Sequence, residues 1–126
     1  MTSALRRLVA ARATAAIRDR RPPRSLAELA RRLIPGYVVT PTIALLSDIL
    51  TDAIDQPDQR VIFTCPPRTG KSLLASVVTP VWALSRDPDA SVMIKSYGDE
   101  LAEDLSREAR RLISEHSASL GMALST

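Results

Sequence analysis

Six residues between Pro67 and Ser72 carry the clearest chemical pattern in the chain. Cys65-Pro66-Pro67-Arg68-Thr69-Gly70-Lys71-Ser72 matches the last three positions of the phosphate-loop pattern G-x-x-x-x-G-K-[ST] and has Cys65 where the first glycine belongs. A triphosphate is polyanionic and needs backbone N–H groups at a helix N-terminus. Pro66 and Pro67 have no N–H to give, but Arg68, Thr69, Gly70, Lys71 and Ser72 all have one. Gly70 lets the backbone come close. Lys71 can reach the β- and γ-phosphates, Arg68 adds a second positive charge, and the Ser72 hydroxyl can ligate magnesium. Lys71 and Arg68 are therefore the candidate catalytic groups. Pro67, Arg68, Thr69, Gly70, Lys71 and Ser72 are the candidate ATP-binding set, with Ser72 the candidate metal ligand. The competing reading is a plain strand-to-helix turn capped by Ser72.

Such a loop has to be held between two elements. Arg60–Cys65 is a short, nearly continuous apolar run, which predicts a strand buried on both faces. A helix is expected from near Gly70 to about Leu84, with Leu74, Val77, Val78, Val81 and Trp82 inward and a kink or split at Pro80. Ser91–Ser96 reads as a second strand. Asp99 to about Glu115 reads as a helix with Leu101, Leu105, Ala109, Leu112 and Ile113 in register. Upstream, residues 4–20 predict a helix with Leu5, Leu8, Val9 and Ala13 on one face. Ser25-Leu26-Ala27-Glu28 is a capping box opening a helix to Ile34. Thr40-Pro41 opens a third helix with an apolar stripe of Ile43, Leu46, Ile49, Leu50, Ala53 and Ile54. The order α-α-α-β-α-β-α predicts an α/β protein in its second half.

Composition narrows the classes. The 126 residues are 45% hydrophobic and 25% charged, which suits one globular domain. One cysteine excludes an internal disulfide framework, and one histidine leaves too few ligands for a Cys/His zinc site. No apolar run approaches the roughly 18 residues of a membrane span. Only Lys71 and Lys95 among the 17 basic residues are lysine, a bias that GC-rich codons would also give. Charge is uneven. Residues 1–32 hold nine arginines against Asp19 and Glu28, a net +7, whereas the rest holds eight basic and twelve acidic residues, a net −4. The basic arm resembles a transit peptide in composition but has no secretory apolar core. Its readings are a DNA-phosphate contact, a docking element for another protein, or a solvated helix.

Four other features have plainer readings. Asp99, Glu100, Glu103 and Asp104 suit a helix start, where acids complement the dipole, better than a magnesium site. Cys65 suits a small apolar position better than a reactive thiol. His116 reads as a solvated helix end. Trp82 and Tyr97 are too isolated for a base-stacking platform, since aromatics are 3% of the chain.

Val61 through Ser72 resembles the N-terminal ATPase of tailed-phage terminase large subunits, the motors that package DNA into capsids. Many of these carry a loop of the form Pro-Pro-Arg-x-Gly-Lys-Ser. The resemblance continues through Pro80-Val81-Trp82-Ala83-Leu84, Asp87-Pro88-Asp89 and Ser96 to Asp104, and covers about residues 37–116. It implies a P-loop NTPase fold with an incomplete parallel sheet and ATP and Mg²⁺ as ligands, preceded by the basic helical arm at 1–36 that the charge pattern marks. Residues 117–126 form an irregular tail on this reading. The implied partners are duplex DNA bound without sequence preference, a portal or small terminase subunit, and further copies of the chain. No membrane is implied, and the implied setting is the host cytoplasm. The family's Walker B strand, catalytic glutamate, coupling motif and nuclease domain have no counterpart in these residues, so the chain resembles the opening part of such a protein, truncated or split. It is not expected to turn over ATP alone, and the strand at Val61–Cys65 is expected to keep an unpaired edge. The alternatives are another small P-loop domain, kinase or helicase-like, and a non-catalytic interaction fragment with a vestigial loop.

Overall fold

The computed structural model describes residues 2–67 and 70–125, and for residues 14–20 the backbone only. Among the described residues every regular element is helical. They are α1 (Ser3–Arg20), α2 (Leu26–Leu33), α3 (Pro41–Ile54), α4 (Lys71–Leu73), a π-helical turn (Leu74–Val78), α5 (Thr79–Arg86), α6 (Asp99–Glu115) and α7 (Ser117–Leu120). The short α7 lies where the sequence has no clear periodicity.

The expected α/β fold with an incomplete parallel sheet is therefore corrected to a small helical domain. Arg60–Cys65 and Ser91–Ser96 form no strand among the described residues. An apolar run becomes a strand only when a neighbour takes its N–H and C=O groups. Among the described residues no ladder joins these two runs to each other or to a third segment. Ile62 is 95% exposed and Met93 79% exposed. Val92–Lys95 lies beside the helix instead, across a groove of about 310 Å³ whose other wall includes Ala75, Thr79 and Ala83.

The core is built around the unbroken helical run from Lys71 to Arg86. Its Leu74, Val77, Val78, Val81 and Trp82 are buried, as their spacing predicts. Leu26, Leu29, Ala30 and Leu33 of α2, Ile43 and Leu46 of α3, and Ala109, Leu112 and Ile113 of α6 close around them. At Pro80 the run continues without a gap but changes its hydrogen bonding in the turn before it. Proline cannot donate to the residue four back, and its ring crowds that carbonyl. The preceding turn widens to π, so the Thr79 N–H reaches Leu74 O, and the Thr79 hydroxyl donates to the same oxygen at 2.9 Å. At the far end Arg86 pairs with Asp55 at 2.9 Å and lies 5.3 Å from the Trp82 ring centroid.

Helix α2 is fixed by its cap as well as its apolar face. Ser25 accepts from the Glu28 N–H at 3.2 Å, and the Glu28 carboxylate reaches back to the Arg24 N–H at 2.9 Å. That backbone bond, helped by Arg32, holds the Glu28 carboxyl below its usual range. Two side chains of α3 satisfy further donors. Ser47 Oγ accepts from the Ala27 N–H at 2.8 Å, and Thr51 Oγ1 accepts from the Leu26 N–H at 3.2 Å. Thr40 caps α3 as expected, accepting from the Ile43 N–H at 3.2 Å. The stripe expected on α3 is only partly buried. Ile49 faces water, and the fully buried polar residue on this helix is Ser47. We predict that Ser47→Ala costs about 1–2 kcal/mol, because it strands the half-buried Ala27 N–H at the start of α2. A denaturant midpoint equal to wild type would contradict this.

Helix α1 has the predicted span, but Leu5, Leu8, Val9 and Ala13 are exposed rather than packed. No helix among the described residues is long and apolar enough to cross a membrane.

Candidate functional site

The loop enters from Cys65 and ends where α4 begins. Gly70 is the residue before the helix, with φ +80°, a left-handed conformation that a side chain would strain. The Leu74 N–H closes the first turn on Gly70 O at 3.1 Å. The N–H groups of Lys71, Ser72 and Leu73 precede that bond, and no side-chain cap is seen on them among the described residues. Helices α2 and α3 start differently, each with a hydroxyl turned onto its own amides. The helix behind the loop is anchored by Leu74, Val77 and Val78, all fully buried. The helix expected to open near Gly70 does so, on a helical frame.

Lys71 is half-buried and donates from Nζ to Cys65 O at 2.6 Å. Its ammonium thus bridges the two ends of the loop. The Ser72 hydroxyl lies on an exposed residue beside it. Gly70, Lys71 and Ser72 are consecutive at the helix start, and Pro67 forms a turn at the loop entrance. Arg68 and Thr69 lie outside the described residues. Cys65 is a free, half-buried thiol whose carbonyl holds Lys71.

The residues fit a magnesium ion in one limited sense. No group of three His, Cys, Asp or Glu side chains among the described residues is placed to hold a metal. Ser72 can supply one oxygen. Magnesium keeps several waters and readily takes phosphate oxygens, so a nucleotide would bring the remaining ligands.

The acidic start of α6 behaves as a helix start. Asp99 and Glu100 occupy its first turn, Asp104 pairs with Arg107 at 2.8 Å, and Arg111 pairs with Glu108 and Glu115 further along. His116 ends this helix, and Tyr97 is almost wholly exposed. One residue near the loop escapes the sequence reading. Tyr37 lies thirty-three positions before Gly70, yet its hydroxyl is 3.9 Å from where a Cβ on Gly70 would sit. Nothing in the local pattern marks it, because the approach depends on how α3 packs.

Family profiles show no match to this chain. Neither the curated proteins nor the solved structures give a match.

Proposed function

We propose that this chain binds the phosphates of ATP with magnesium through Pro67–Ser72, and that it is the ATP-binding N-terminal portion of a terminase large subunit that powers DNA packaging. The observation that carries the phosphate reading is the helix start at Gly70, which has no side-chain cap among the described residues, with Lys71 Nζ donating to Cys65 O beside it. Backbone N–H groups at a helix start and a lysine ammonium in the same loop are the kinds of donor a polyanion requires. The terminase reading is supported by the Pro-Pro-Arg-x-Gly-Lys-Ser sequence and the flanking segments that accompany it. On this reading Lys71 and Arg68 neutralise phosphate charge and Ser72 takes one position on magnesium. The bound nucleotide supplies the reactive phosphoanhydride. Titration with ATP and magnesium tests it, and no binding by the wild-type protein would overturn it.

A second reading is an interaction fragment with a vestigial loop. The helical architecture favours it over a kinase, since no sheet aligns the loop with a second acidic strand. The same titration separates the two.

Duplex DNA is the partner proposed for the basic arm. Arg6, Arg7 and Arg12 on α1, and Arg21, Arg24 and Arg31 beyond it, are exposed. Arg32 is engaged with Glu28 and Arg21 O. Removing residues 1–20 leaves the four core residues of α2 in place. We expect deletion of residues 1–32 to abolish DNA binding, deletion of 1–20, which removes five of the nine arginines, to weaken it, and wild-type affinity to fall steeply with salt without sequence preference. Salt-independent binding, or binding that survives the deletion of 1–32, would contradict the proposal.

A further inference from the structure

We propose that the chain pairs with a second copy of itself, α1 of each copy lying on the outer face of α3 of the other. Leu5, Leu8, Val9 and Arg12 recur at i, i+3, i+4 and i+7, which puts them on one side of α1. All four are exposed, Leu8 by 51%. The outer side of α3 has the same spacing in Leu45, Asp48, Ile49 and Asp52. These four are exposed too, Leu45 by 64%, because Ile43, Leu46 and Ser47 take the opposite side of α3 into the core. Each helix thus shows water an apolar patch about one turn long, next to charged residues. Such a patch is left costly by exposure and gains by meeting another like it.

Charge selects the partner. The α1 stripe ends in Arg12, whereas the α3 stripe carries Asp48 and Asp52 on a helix with no basic residue. Among the described residues none of these three is in an ion pair, while Asp55, the remaining acid beside α3, is held by Arg86. The same opposition runs through the whole chain, with +7 on residues 1–32 and −4 on the rest. A second copy therefore offers each face its complement. Reciprocal exchange of α1 makes two identical contacts and closes on a dimer. Pro22-Pro23 stiffens the connection after α1, and Arg32 ties it down at Arg21 O, so the arm is not folded back on its own α3, whose outer face stays exposed. Arg6 and Arg7 lie off the stripe and remain available to DNA phosphates.

The full chain, freed of nucleic acid, would be taken through a concentration series by sedimentation velocity, up to millimolar protein. The set is wild type, Arg12→Glu, Asp48→Lys with Asp52→Lys, and all three changes together, with far-UV circular dichroism to follow helix content. We expect wild type to pass from monomer to dimer. Each one-sided reversal sets like charges against each other and should weaken dimerisation about tenfold or more, with helix content unchanged. The triple variant should recover most of the loss, which no folding defect would produce. Monomer throughout the series in wild type would overturn the proposal. A dimer indifferent to the reversals would belong to another surface and would overturn it too. Weakening without recovery in the triple variant would show that these charges do not meet, with the same result. Lost helix content in a reversal would assign that position to its own fold and count equally against the pairing. Association that appears only when duplex DNA is added would assign α1 to DNA alone and would likewise overturn it.

Discussion

Lys71→Ala is expected to weaken ATP–magnesium binding by about 10- to 100-fold, the range for losing a charge-assisted contact of about 1.5–3 kcal/mol. The effect should fall on the phosphates, so ADP should lose less than ATP. The substitution also removes the bond from Nζ to Cys65 O. That bond is only partly shielded from water, so its loss should cost about 1 kcal/mol or less in stability. The melt and the titration therefore move by different amounts, and a folding defect cannot mimic the binding loss. Lys71→Arg keeps the charge but replaces a compact ammonium with a planar fork, and should recover only part of the affinity. Equal affinity in wild type and Lys71→Ala would end the phosphate reading.

Trp82→Ala should be the most damaging single change to the fold. Trp82 is 2% exposed and stands in the helical run that α2, α3 and α6 surround. Truncating a buried tryptophan costs about 3–5 kcal/mol, from lost transfer energy and the cavity left behind. A domain of this size has about 5–15 kcal/mol in all, so much of the stability is removed. It also takes away the ring beneath Arg86, whose guanidinium ties α5 to Asp55 at the end of α3. The indole N–H has no partner among the described residues. Trp82→Phe therefore discards a group that costs energy while keeping most of the apolar volume, and should cost under about 2 kcal/mol. Chemical denaturation of the two variants checks this. Matching midpoints would show that Trp82 fills no essential part of the core.

The local elements were legible because their causes are local. Ser25 and Glu28, Thr40 and Pro41, and the apolar spacing of residues 74–82 and 109–113 act within one or two turns, and each gave the helix it predicts. Gly70 and Lys71 open a helix for the same reason. Pro80 illustrates the limit of local reasoning, since a lost donor can be met by a kink or by a wider turn. The neighbouring core, together with the Thr79 hydroxyl, accompanies the second.

What the sequence by itself determined is the set of helix starts, the inward face of the Lys71–Arg86 run and the grouping of Gly70, Lys71 and Ser72. These depend on residues a few positions apart. Tertiary structure decided whether Arg60–Cys65 and Ser91–Ser96 became strands, because pairing is a property of two segments and not of one apolar run. It also decided that Ser47 would cap a different helix and that Tyr37 would arrive at Gly70. Both follow from how α3 packs across twenty or more positions of chain, a relation that no local spacing encodes.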